Sequence, residues 1–117
     1  MIRNEGFRIA HINYIFCDDS YLLQMNQEFL KHNTYTDIIT FQYSAKGEAV
    51  ESDIYISIDR VKENAREFKT TFQKELLRVI FHGALHLCGF KDKTDKDQML
   101  MRKAEDKYLH YFLSKVK

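Results

Sequence analysis

Leu76-Leu77-Arg78-Val79-Ile80-Phe81-His82-Gly83-Ala84-Leu85-His86-Leu87-Cys88-Gly89-Phe90-Lys91-Asp92 is the stretch on which the fold turns. From Leu76 to Leu87 apolar residues fall on nearly every side of a helical projection, so this segment predicts a helix running through the middle of a domain. Within it, His82 and His86 stand four residues apart and project from one face. Gly89 follows at a helix-ending position, and Asp92 lies three residues beyond. Two imidazoles from a helix and a carboxylate returned by a tight turn can grip one metal ion from three sides. A fourth position then stays open to water, as in catalytic zinc sites. Asp95 competes with Asp92 as third ligand, and a solvated charge cluster over 91–97 is the ordinary alternative. The Gly89-x-x-Asp92 spacing favours Asp92, because it suits a chain that reverses after one turn. Core histidines bonded to nearby carbonyls are the metal-free reading of His82 and His86.

Gly83 narrows the chemistry. Glycine inside a helix costs about 1 kcal/mol relative to alanine, which points to a need for space beside the ligands. The local motif is metzincin-like in its ligand spacing, but zinc proteases put a glutamate general base immediately after the first histidine. Gly83 cannot take a proton, which argues against peptide hydrolysis by that route. A carboxylate in the third position makes the site less positive than three histidines would, and broadens the metal preference beyond zinc to other transition metals.

Working outward, Arg8–Cys17 predicts a strand with Ile12, Tyr14 and Phe16 on one face and Ile15 and Cys17 on the other. Asp18 and Asp19 cap a helix carrying Leu22, Leu23, Asn26, Phe29 and Leu30, which His32, Asn33 and Thr34 break. Asp37–Tyr43 reads as a second strand and the polar segment Ser44–Ser52 as an exposed loop. Asp53–Ile58 reads as a third strand with Ile54, Ile56 and Ile58 inward. Asp59 is expected to cap a short helix with a Val61, Ala65, Phe68 stripe, and Thr70–Gln73 matches a capping box that opens the histidine helix. Thr94 caps a last helix, with Leu100, Ala104, Tyr108, Tyr111 and Phe112 along one face. The expected fold class is α+β: a small mixed β-sheet, covering helices and a central buried metal-binding helix.

With 117 residues and 44% hydrophobic content, residues 1–117 are expected to form a single domain. The formal charge of +1 gives no global drive towards nucleic acid, so any basic surface has to be local. Cys17 and Cys88 read as buried thiols and not as a disulfide scaffold. No apolar run is long enough to span a bilayer and no signal-peptide pattern opens the chain, so a cytoplasmic location without membrane partners is expected.

His82-Gly83-x-Leu85-His86-Leu87-x-Gly89-Phe90 closely resembles the signature of the YbeY family of single-strand-specific endoribonucleases, which act in ribosomal RNA maturation. Asn26, Thr36, Asp37 and Phe41 match a second family segment, and Asp53-Ile54-Tyr55-Ile56 a third; the three fall in order and cover most of the chain. The resemblance implies a metal-dependent endoribonuclease with one divalent ion, zinc by expectation, held by His82, His86 and Asp92. It implies single-stranded or ribosomal RNA as partner, with ribosomal subunit proteins as further candidates. Three departures stand out. Lys91-Asp92 replaces the family's Asp-His, so the third ligand would be Asp92. Leu30 stands where the family often has an arginine thought to serve activity, leaving Lys31 as the substitute catalytic candidate. The chain is also shorter at its front than family members usually are, with Met1–Phe7 resembling the end of a preceding helix. Lys31, His32 and Lys91 are candidate phosphate contacts, and Tyr35, Tyr43 and Phe90 candidate base-stacking groups. The nucleophile stays open between water and the RNA 2′-hydroxyl. A non-catalytic RNA-binding ribosome-assembly factor with a structural metal, and a metallohydrolase of another substrate class, are the alternatives.

Overall fold

Three runs rich in β-branched and aromatic residues pair into a mixed sheet in the computed structural model, which describes residues 1–2, 5–31 and 36–115. The strands are β1 (Ile9–Cys17), β2 (Ile38–Gln42) and β3 (Val50–Ser57), in the order β1-β3-β2. Central β3 runs parallel to β1, with Ile54 opposite Tyr14, and antiparallel to β2, with Ile54 opposite Thr40. Helices α1 (Asp19–Phe29), α2 (Ile58–Glu67), α3 (Phe72–Leu87) and α4 (Asp95–Lys115) complete the described residues. The class is the small α+β arrangement the pattern predicts. None of the described helices is long and apolar enough to cross a membrane.

Alternation along the strands feeds two faces of the sheet. Ile39 meets Leu22 and Met25 of α1 on one side. Ile54 and Ile56 meet Val61 of α2 and Val79, Ala84 and Leu87 of α3 on the other, in a cluster that also takes in Ile2. Ile54 and Ile56 are fully buried, each contributing roughly 1.5–3 kcal/mol by leaving water. On its far side α3 packs Leu85 against Met101, Ala104 and Tyr108 of α4. The histidine helix therefore lies between sheet and α4, as its all-round apolar surface requires.

Gly83 marks the closest approach of α3 to the sheet. A Cβ there would sit 2.8 Å from Ile38 Cδ1 and 3.3 Å from two carbons of Ile54. The space that glycine preserves is thus filled by the sheet and not by the ligands.

Several local expectations shift. Val50–Ser52 belongs to β3 and not to a loop; Val50 is buried beside Ile9, and Ser52 Oγ donates to the Phe41 carbonyl at 2.7 Å. Pairing on both sides outweighs the weak β signal of that polar stretch. Ile58 opens α2, whose cap is Ser57, accepting from Arg60 N–H at 3.2 Å; Asp59 instead accepts from Asp19 N–H. Thr71, one residue later than the box predicts, caps α3 through Lys74 N–H. Phe16, Phe29, Leu30, Phe68, Leu100, Tyr111 and Phe112 are exposed, since the buried stripes are narrower than the apolar ones. In α4 that stripe is Met101, Ala104, Glu105, Tyr108 and Leu109. Cys17 and Cys88 are free and half-buried; burial pushes the Cys88 thiol up to about 11. The helix-breaking run at His32–Thr34, and the contacts expected of His32 and Tyr35, lie outside the described residues.

Helix α2 ends in a Schellman turn, with Thr70 N–H on the Ala65 carbonyl and Lys69 N–H on the Arg66 carbonyl. Its left-handed position is held by Lys69 at φ +53°, where glycine is the usual occupant. Lys69→Gly is expected to raise the unfolding free energy by about 0.5–1 kcal/mol, the left-handed penalty for a side chain less the entropy glycine adds to the unfolded chain. An unchanged or lower urea midpoint would contradict this. Gly83→Ala gains about 1 kcal/mol of helix propensity but overpacks the Ile38–Ile54 contact at a cost of roughly 1–3 kcal/mol, and Gly83→Val adds still more crowding. Denaturant unfolding should show slight destabilisation by alanine and severe destabilisation by valine; a stable valine variant would mean that α3 can stand off the sheet.

Candidate metal centre

Helical periodicity places His82 and His86 together on one stripe of α3, roughly a quarter-turn round from Gly83, and the turn after α3 brings in the third group. Gly89 at φ +93° forms a Schellman turn, with Phe90 N–H on the Leu85 carbonyl and Gly89 N–H on the His86 carbonyl, both at 3.0 Å. Phe90 then packs against the cluster that contains Leu85. The reversal returns the Phe90 carbonyl to the helix end, where His86 Nδ1–H donates to it at 2.9 Å. Two residues on, Asp92 Oδ2 lies 3.2 Å from both His82 Nε2 and His86 Nε2, which are themselves 3.0 Å apart.

Proton bookkeeping decides what these three atoms can do. The Phe90 carbonyl can only accept, so His86 carries its proton on Nδ1. His82 Nδ1 lies 2.6 Å from the Glu105 carboxylate and is committed in the same way. With both imidazoles neutral, their Nε2 lone pairs and the Asp92 oxygen are three acceptors converging on one point with no donor among them. Only positive charge relieves that arrangement: a proton in acid, or a cation. Spacings of 3.0–3.2 Å fit three ligands at the roughly 2.0–2.2 Å bond lengths of a zinc-type ion. Among the described residues, this is the group of three or more potential ligands whose atoms all lie within 4.8 Å of one another. Asp95 lines the neighbouring cleft but is not in that group.

Glu105 is the residue that sequence reasoning missed. It is buried on α4 and takes His82 on one oxygen and Arg78 Nη1, at 3.2 Å, on the other; Arg78 Nη2 reaches Asp106 at 2.8 Å. A carboxylate behind a ligating imidazole fixes its ring and tautomer and makes it a stronger donor. Burial disfavours charge on His82, but the Glu105 hydrogen bond and charge, with Asp37 and Asp92, outweigh it and raise its pKa. Asp37, immediately before β2, lines the same cleft of ≈ 680 Å³. Burial raises its pKa, against the pull of His82, and Glu105 and Asp92 add to the rise.

The remaining sequence candidates lie elsewhere. Lys31 is exposed beyond α1 at φ +56° and does not line the cleft around His82. Lys91 is exposed, Phe90 is half-buried in packing, and Tyr43 is exposed with its hydroxyl on Asp53 at 2.9 Å.

The chain is similar to known proteins along most of its length. The family model for Endoribonuclease YbeY matches residues 3–113. The chain is 54% identical over 112 residues to Endoribonuclease YbeY of Flavobacterium psychrophilum, covering 96% of this chain and 79% of that protein. It is 55% identical over 104 residues to Endoribonuclease YbeY of Cytophaga hutchinsonii, covering 89% and 73%. The solution structure of a Thermotoga maritima protein superposes with a TM-score of 0.65 at 35% identity, over 92% of this chain and 71% of that one.

Glu105→Gln keeps the volume but can accept from only one of Arg78 and His82. Titration calorimetry is expected to show divalent-metal affinity weakened about 10–100-fold, the usual effect of losing a supporting group. Affinity equal to wild type would mean that Glu105 merely packs α4.

Proposed function

The chain belongs to the YbeY endoribonuclease family, and from that premise we propose that it cleaves single-stranded RNA at a metal held by His82, His86 and Asp92. Zinc is the proposed ion, precursors of ribosomal RNA the proposed substrate class, and the cytoplasm the proposed location. The observation that supports this reading is the convergence of three acceptor atoms, two of them on imidazoles whose Nδ1 sides are already engaged by Glu105 and the Phe90 carbonyl.

Bound there, a divalent cation supplies Lewis-acid polarisation of a phosphoryl oxygen and acidifies a water molecule. The protein's own part is to orient and to manage protons. Glu105 and the Phe90 carbonyl hold the Nδ1 protons, so that both Nε2 atoms present lone pairs. Gly83 offers no base beside the first histidine, which sets this site apart from peptidases of the same ligand spacing. Asp37 lines the same cleft as His82 and Asp92 and is the candidate group for taking up or giving a proton there. Asp92 is half-exposed, so the side of the site it closes lies open to an RNA strand.

Purified protein should cleave single-stranded RNA in a reaction that a chelator stops and added divalent metal restores. His86→Ala should abolish cleavage. Asp92→Ala should weaken metal binding by more than the ~10–100-fold that a supporting group contributes. Cleavage that survives chelation and is equal in wild type and His86→Ala would reject this reading in favour of a contaminant or a purely RNA-binding role.

A further inference from the structure

The cleft beside His82 does not end at the metal site. A second hollow of ≈ 390 Å³ lies between α3 and α4 and shares Phe68, Glu75, Arg78 and Arg102 with the first, so the two adjoin along the α3–α4 groove. Its charge changes along its length. Around His82 the walls carry Asp37, Asp92, Asp95, Glu75 and Glu105 against Arg78 and Arg102, a surface that repels phosphate unless a cation intervenes. At the far end Lys74 and His110 join the two arginines, with Glu75 and Asp106 as the acids there. Lys74, Arg102 and His110 are all exposed.

Phe68 stands where the two hollows meet. Phe68 is 56% exposed, although it ends a helix whose Val61 and Ala65 are buried. Its backbone is not loose: Phe68 N–H is bonded to the Asn64 carbonyl at 2.9 Å, and the following two residues close the Schellman turn. A rigidly mounted, half-bare aromatic ring between exposed cations is the combination that holds unpaired bases, since every base has a face to stack and every linkage a phosphate to neutralise.

We propose that single-stranded RNA engaged at the metal site continues along the α3–α4 groove, with one base stacked on Phe68 and the neighbouring phosphates paired with Arg102 and Lys74. This rests on the RNA-cleaving function proposed above. It extends that reading by naming where the strand lies and why it must be unpaired: a base already in a duplex cannot offer its face to Phe68.

The test is steady-state cleavage by the metal-loaded full chain, comparing single-stranded oligoribonucleotides long enough to fill the groove with trinucleotides too short to do so. For long substrates Phe68→Ala is expected to raise KM roughly tenfold with little change in kcat, within the range of one lost base stack, while Phe68→Tyr restores it. Arg102→Ala and Lys74→Ala should each flatten the dependence of log KM on log salt by about 0.7, the counterion release of one single-strand phosphate contact. Metal affinity should be unaltered in the Phe68 and Lys74 variants, and trinucleotide cleavage should not distinguish these three from wild type; Arg102, which also reaches Glu105 at 3.9 Å, is read by its salt slope alone. If long-substrate KM and salt slope are unchanged while His86→Ala still abolishes cleavage, the groove assignment is overturned and the metal-site reading survives. If the wild-type protein cleaves no RNA, both fall.

Discussion

Everything in the active region depends on how closely α3 lies against the sheet. The Val79, Gly83, Leu87 edge of the helix faces β2 and β3, and at Gly83 the separation leaves no room for even a methyl group. That contact fixes the rotation of the helix about its own axis. With Gly83 turned inward, Arg78, His82 and Leu85 are turned towards α4, and the two imidazoles look out along the seam between them. A helix free to roll by one residue would carry His82 from the cleft into the core.

The second determinant is the shared carboxylate of Glu105. It ties α4 to α3 through Arg78 and through His82 at once, so the tertiary packing of α4 and the orientation of a ligand are the same interaction. A buried carboxylate left without partners would cost several kcal/mol; here two cationic or donor groups offset that cost. The turn at Gly89 does the corresponding job for His86 with a backbone carbonyl. One imidazole is thus held by long-range packing and the other by local chain reversal.

These two modes of support explain what could be read from the sequence. The local one was legible: four-residue spacing on a helix and a glycine at its end are patterns of a few consecutive residues, and they placed His82, His86 and Asp92 near one another. The α+β class also followed from alternation in Ile54 and Ile56 and from the apolar surface of α3, whereas the strand order β1-β3-β2 did not. Glu105 was not legible in the same way, because it sits 23 residues from His82 in a run of charges that looks like a solvated face. Its signal was the Met101, Ala104, Tyr108 stripe, which turns Glu105 inward; reading the stripe from Leu100 hid it. Val50–Ser52 was missed because its strand character comes from partners on both sides, and Phe68 because an apolar stripe does not say where the covering layer stops.

The unequal mounting of His82, His86 and Asp92 also bears on how such a cluster can diversify. His82 and His86 are anchored by a helix that cannot shift without unpacking the sheet, whereas Asp92 stands on a short reversing segment with solvent on one side. Replacement at the turn asks only that a new side chain span a slightly different reach. Replacement on the helix asks the whole core to be rebuilt. A change of donor atom is therefore accommodated most easily at the turn, and it is there that this chain carries an aspartate.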